Sequence, residues 1–184
     1  MSDHLIVQHC SPTLAGIKTG NIFTCRFTSR EELTTDIRRL NKMLGAKGLR
    51  VLPLRIGQSS ALIYIYRPAR LCEDLSCREA SEILNRCGYQ LANTNQCVVN
   101  LVSRIRESGD FPHEIGLFLG YPPEDVRGFI THNARDFKCV GCWKVYGDEE
   151  KAKNLFAQYK KCTSCYLNQL RKGNTIEQLA VAGS

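Results

Sequence analysis

Two Cys-x-x-Cys pairs offer the most specific chemistry in this sequence. Cys139-Val-Gly-Cys142 and Cys162-Thr-Ser-Cys165 are separated by 19 residues, a spacing that suits a four-thiolate zinc or iron site. Gly141 permits a turn that aims both thiolates of the first pair at one ion. The second pair lies at i, i+3 on an expected helix, so both sulfurs can share a face. Packing accounts for the same residues differently. Ala152, Leu155, Phe156, Tyr159, Cys162, Tyr166 and Leu170 form one apolar stripe, and on a regular strand Cys139 and Cys142 point to opposite faces. Metal binding, thiol redox chemistry and plain packing stay open.

A second set of reactive residue types lies in His9-Cys-Ser-Pro-Thr-Leu-Ala-Gly-Ile-Lys-Thr-Gly-Asn21. Read as a loop after a buried strand, it holds glycines, hydroxyls and Lys18, suitable parts for gripping an anion. It is not a Walker loop, because Lys18-Thr19 precede the second glycine. Cys10 is the candidate nucleophile, with His9, Thr13 and Lys18 as ligand-binding residues. His113-Glu114 begins like a zincin signature, but position 117 is Leu, so these two serve as candidate acid/base groups near a helix N-terminus. The stretch Ile115 to Ile130 imitates the spacing of a helix-turn-helix. Its second helix opens with Glu124 and Asp125, which repel phosphates and disfavour nucleic acid.

These groups depend on elements readable from periodicity. Leu5-Ile6-Val7 is expected as a short strand and Ile22 to Phe27 as a second. Ser29 with Glu32 forms a capping box ahead of Leu33, Ile37, Leu40 and Leu44 at helical spacing. Leu49–Ile56 and Ala61–Tyr66 read as strands joined across Gly57-Gln-Ser-Ser60. A capping box at Ser76 and Glu79 opens a helix carrying Cys77, Ala80, Leu84 and Cys87. Val98, Leu101, Val102 and Ile105 stripe the next one. Short helices over 112–119 and 123–130, a strand over 137–146, a long helix from 148 to about 171 and a last turn from Asn174 complete the chain. Early strands and late helices predict an α+β fold: a small antiparallel or mixed sheet from the N-terminal third plus one late strand, packed by C-terminal helices, in a single domain over 1–184.

Composition narrows the classes. The chain has 184 residues, 43 % of them hydrophobic, and a net charge of +7 concentrated in residues 1–70. A basic face can steer phosphates, although solvated helix faces carry such charge equally well. No apolar run reaches the ~18 residues that span a membrane. The opening MSDHLIVQHC lacks a basic n-region and a signal-length apolar stretch, which points to the cytoplasm. There, the ten cysteines are expected as reduced thiols, at least half of them in the core.

Three blocks carry a resemblance: His9 to Phe23; Phe111-Pro-His-Glu-Ile-Gly-Leu-Phe-Leu-Gly-Tyr-Pro-Pro-Glu-Asp-Val-Arg-Gly-Phe-Ile130; and Gly141-Cys-Trp-Lys-Val-Tyr-Gly-Asp148 running to Cys162. Over nearly its whole length the chain resembles an uncharacterised bacterial family of unknown function, met mostly in anaerobic Gram-positive bacteria. The resemblance implies a single-domain cytosolic protein and brings no catalytic residues. The family block reads Gly-Tyr-Trp where this chain has Gly141-Cys142-Trp143, so Cys139 and Cys162 fit its pattern and Cys142 and Cys165 do not. It also places His9, Cys10, Lys18, His113 and Glu114 together in the blocks that carry the resemblance, as one pocket would require.

The leading expectation is therefore a small-molecule pocket for an anionic ligand, formed by the 9–21 loop and the 111–121 segment, with chemistry or binding alone left open. A metal or thiol-redox protein using Cys139, Cys142, Cys162 and Cys165 is the alternative, and a helix-turn-helix-like nucleic-acid binder the third. Metal analysis and a visible spectrum of anaerobically purified protein separate the first two: one zinc per chain or a charge-transfer band selects the thiolate site, and a metal-free, colourless protein removes it.

Overall fold

The computed structural model describes residues 1–90, 93–108 and 111–183. They fall into two compact units, Met1–Ala69 with the chain from Tyr159 onward, and Arg70–Gln158. The first unit is built on a three-stranded antiparallel sheet in the order β1–β3–β2, with β1 at Gly20–Arg26, β2 at Arg50–Ile56 and β3 at Ser60–Tyr66. Central β3, Ser-Ala-Leu-Ile-Tyr-Ile-Tyr, is buried from Ala61 to Tyr66, as a run apolar on both faces requires. Ile63 stands opposite Phe23 on one side and Pro53 on the other. Pro53 cannot donate a ladder hydrogen bond, and the register shifts between Pro53 and Arg55. Edge strand β2 absorbs that bulge.

Helices α1 (Asp3–Leu14) and α2 (Arg30–Gly45) cover one face of this sheet. Ile6, Val7, Cys10 and Leu14 from α1 meet Leu33, Leu40 and Leu44 from α2 over Phe23, Val51, Ile63 and Ile65, and Ile176 of a short C-terminal helix closes the cluster. Fully burying each leucine stabilises the unit by about 1.5–3 kcal/mol. Ser29 caps α2 by accepting from the Glu32 N–H, while the Glu32 carboxylate reaches back to the Thr28 N–H.

The sequence reading of Leu5–Val7 as a strand followed by a loop is corrected here. Ser2 caps a helix, and Ile6, Val7, Cys10 and Leu14 recur at helical spacing with 0 % exposure. Pro12 reads as a loop signal, yet it sits within the last turn of α1. Its missing N–H would have served the carbonyl of Gln8, an exposed residue. Gly16, at φ +77°, then ends the helix.

Arg67 locks that helix end. It follows β3 and is 5 % exposed. Its guanidinium donates to the carbonyls of Thr13 (2.8 Å) and Leu14 (2.8 Å), the last turn of α1, and to those of Lys47 (3.2 Å) and Val181 (2.7 Å). Helix α1 has no basic residue in its own last turn. Arg67 therefore supplies both the donors and the positive charge that a helix C-terminus favours.

The second unit is mainly helical. It holds α4 (Arg78–Arg86), α5 (Thr94–Ser108), α6 (Ile115–Phe118), α7 (Pro123–Thr131) and most of α3 (Pro68–Ser76). The N-cap of α4 is Cys77, whose sulfur accepts from the Ala80 N–H, while Ser76 donates to the Cys72 carbonyl inside α3. The expected strand over 137–146 is instead a tight hairpin, β4 (Cys139–Val140) with β5 (Lys144–Val145). Helix α8 (Glu149–Arg171) follows, its residues before Tyr159 belonging to this unit. Thr175, rather than Asn174, caps the final helix α9 (Ile176–Leu179), forming a reciprocal box with Gln178. The chain is α+β, with its main sheet in the N-terminal part. Among the described residues, no helix is long and apolar enough to cross a membrane.

Arg67→Met keeps the stem and removes every donor. It removes four charge-assisted hydrogen bonds, those to the Thr13, Leu14, Lys47 and Val181 carbonyls, each worth about 1.5–3 kcal/mol, so urea denaturation should show a loss of at least ~3 kcal/mol. Arg67→Lys restores charge without the planar fork and should recover less than half of it. A loss below ~1 kcal/mol for Arg67→Met would show that the fork does not hold the helix end.

Candidate ligand pocket

A cavity of about 330 Å³ lies within the second unit. Its walls are the segment leading into α6 (Phe111, Pro112, His113), the α6–α7 turn (Tyr121), α7 (Val126, Phe129) and the β4–β5 hairpin (Val140 to Lys144). Its size falls at the small end of the range for ligand sites. Aromatic rings dominate the lining, and Phe111 and Val140 at its edge are 49 % and 64 % exposed.

Asp125, at 3 % exposure, fixes these walls to one another. One carboxylate oxygen accepts from the Trp143 indole N–H (2.7 Å), and the other from the backbone N–H groups of Tyr146 and Gly147 (both 2.7 Å). A carboxylate in the first turn of α7 is also favoured by the helix dipole. Trp143 then stacks on Tyr121 with ring centroids 4.7 Å apart and meets Phe156 of α8 edge-on at 4.5 Å. The Tyr121 hydroxyl donates to the Cys142 carbonyl at 3.2 Å. Two glycines are dictated by these rings. A Cβ at Gly141 would lie 2.2 Å from the Phe156 ring, and one at Gly128 would lie 2.3 Å from the Tyr146 ring.

Lys144 and His113 are the polar groups on the open side. Both flank Phe129: the His113 ring meets it edge-on at 5.2 Å, and the Lys144 ammonium lies 5.9 Å from its centroid and 4.7 Å from that of Phe137. Lys144 Nζ also donates to the Ala134 carbonyl at 2.7 Å. Ala134, with Asn133 and Asp136, has positive φ, a conformation costly for side chains other than Gly.

The other sequence candidates fall elsewhere. Glu114, 3 % exposed, accepts from the Tyr89 hydroxyl at 3.0 Å and pairs with Arg104 Nε at 2.9 Å. Burial and this carboxylate raise the Tyr89 hydroxyl far above its ordinary range. Cys10, Thr13 and Lys18 lie in the first unit and are buried. Burial drives the Cys10 thiol far above the ordinary thiol range, outweighing nearby Lys18. A thiol held neutral is a poor nucleophile. The Lys18 ammonium donates to the Gly20 carbonyl at 2.7 Å, and the Thr13 hydroxyl to Asn21 Oδ1 at 2.7 Å. His9 is exposed and stacks on Phe23 at 5.8 Å.

Cys139 and Cys142 stand on the hairpin in the second unit, Cys162 and Cys165 on α8 in the first. Among the described residues, no group of three or more His, Cys, Asp or Glu side chains is placed to hold a metal ion. Cys162 is pushed up to about 11, mainly by burial and then by Cys165. Nor is half of the cysteine set in the core. Cys10, Cys25 and Cys97 are buried, Cys87, Cys139 and Cys162 intermediate, and Cys72, Cys77, Cys142 and Cys165 exposed. Helical stripes placed Cys77 inside, but its position as the α4 N-cap leaves it at the surface.

Sequence reasoning missed Asp125, Trp143, Tyr121, Phe129 and Lys144. Asp125, which the sequence presents as a charge that repels phosphates, turns into the protein. The available signal was the pairing of Gly-Tyr-Pro-Pro-Glu-Asp125 with Trp143-Lys-Val-Tyr-Gly147 in two of the three blocks: a helix-start carboxylate and the N–H groups that satisfy it.

An α+β chain with an aromatic pocket bolted to its first-turn aspartate is the class these features define. The chain belongs to a family described as protein of unknown function (DUF3793), whose model matches residues 6–180. No curated protein and no solved structure matches it.

Native protein treated with iodoacetamide at pH 8 should be alkylated first at Cys72, Cys77, Cys142 and Cys165, with Cys165 ahead of its half-buried neighbour Cys162. Cys10, Cys25 and Cys97 should react only on unfolding, as peptide mass mapping would show. Early modification of Cys10 would contradict its place in the core.

Proposed function

We propose that this protein binds a flat, largely apolar small molecule in the cavity of the second unit. The observation that carries the reading is the cavity itself: about 330 Å³, lined by the rings of Phe111, Tyr121, Phe129 and Trp143, with Trp143 held by Asp125 and Tyr121 packed against Gly116. A preformed apolar site with few polar groups is the usual form of a small-molecule pocket. The 111–121 segment expected from sequence supplies one wall, and α7 with the hairpin supplies the others. Compared with thiol chemistry the reading is better supported, because no metal-binding group forms among the described residues and Cys10 is buried and held protonated.

Magnitudes set the scale. A two-ring ligand losing ~200 Å² of apolar surface gains about 5 kcal/mol. Stacking on a fixed ring adds ~0.5–1.5 kcal/mol, which together correspond to a dissociation constant of roughly 10–200 μM. Trp143 is the chain's single tryptophan, so its emission reports on this cavity alone. Titration with 2-naphthalenemethanol should change Trp143 emission with a midpoint in that range and raise the thermal midpoint of unfolding. Phe111→Ala, at an exposed edge position, should weaken binding several-fold while leaving stability within about 0.5 kcal/mol. Unchanged emission up to millimolar probe would rule the reading out.

A further inference from the structure

We infer that the ligand of this cavity is an anion, a flat aromatic carboxylate, and that Lys144 is the residue selecting it; the inference rests on the pocket reading above. Lys144 lines the cavity from β5 and is partly buried. Its ammonium carries three N–H donors, of which one goes to the Ala134 carbonyl. The others lie beside the faces of Phe129 and Phe137, where a ring stabilises a cation without accepting a conventional hydrogen bond. A carboxylate seated against Phe129 would take those donors, and the exposed His113 imidazole flanks the same ring.

The acidic group of the cavity wall does not oppose this. Asp125 already receives three N–H groups, two on one oxygen and the indole N–H on the other. Its charge is thereby offset by the hairpin backbone and by the α7 N-terminus. The wall thus presents one committed anion and one cation with donors to give. Lys144 is held in place independently of ligand, by Ala134 and by two rings, so little side-chain entropy is lost when an anion arrives.

The test uses three probes of one shape: 2-naphthoate, neutral 2-naphthalenemethanol and cationic 2-naphthylmethylammonium, each titrated against the full chain by Trp143 emission and calorimetry. Naphthoate should bind about tenfold or more tightly than either of the others, the scale of one charge-assisted hydrogen bond. Lys144→Met, which keeps the apolar stem, should lose that advantage for naphthoate and change the affinity of the alcohol by less than about twofold. Equal binding of all three would overturn the anion assignment and leave the pocket standing. Tightest binding of the ammonium would assign selection to Asp125 instead. An undiminished naphthoate preference in Lys144→Met would remove Lys144 from the role, and no binding by any probe would overturn the pocket reading together with this one.

Discussion

A charged side chain taken out of water must be surrounded by polar partners, or it costs more than the fold can spare. Each unit of this protein is arranged around one solution to that constraint. In the first, the Arg67 fork gathers carbonyls from the end of α1, the turn before β2 and the C-terminal segment. In the second, Asp125 gathers one indole and two backbone N–H groups from the hairpin. The two cases are electrostatic mirror images: a cation satisfying a helix C-terminus, an anion beginning a helix and satisfying N–H groups. In both, the buried charge joins segments distant in sequence, Arg67 through main-chain carbonyls alone and Asp125 through two main-chain N–H groups and the Trp143 indole.

What the Asp125 carboxylate fixes, the aromatic rings convert into a cavity. Rings fill space in flat plates, and plates can only approach a backbone closely where Cβ atoms are missing. Gly141 beneath Phe156 and Gly128 beneath Tyr146 are such places. Gly116 belongs with them, since a Cβ there would come 2.8 Å from Val126 and 2.9 Å from Tyr121. The cavity is thus not a packing fault left by small residues. Its glycines are faced by neighbouring side chains, and the remaining space lies among Tyr121, Phe129 and Trp143.

Legibility in the sequence followed how local the determining interaction was. Helix α2, with its Ser29 cap and leucine stripe, and the β2–β3 pair around Gly57 are set by residues within a few positions of each other, and periodicity finds them. Helix α1 escaped because Pro12 and Gly16 are loop signals out of context, while the compensation is distant: Arg67 arriving after β3. The cysteine pairs show the opposite case. Their spacing is a strong local pattern, yet nothing in it says whether the chain brings the two pairs together. Lys18 and Glu114 have the residue types of a site, and burial gives them structural partners instead. Asp125 and Trp143 could be met in sequence as members of two blocks, but their union is a tertiary fact.

The hairpin is where stability and binding are joined. Strands of two residues each, such as β4 and β5, cannot persist alone in water. Their conformation is owed to Asp125 and to the Trp143 contacts. A molecule seated against Trp143 and Lys144 touches the side chains that hold the hairpin, so its binding energy would stabilise the hairpin against local opening by RT ln(1 + [L]/Kd). In the reverse direction, any substitution that loosens the Asp125 clamp reduces the fraction of molecules with a formed pocket, and apparent affinity falls by that same fraction. In the proposed binding, Asp125 would act through formation of the hairpin, its own oxygens being taken by the Trp143, Tyr146 and Gly147 N–H groups.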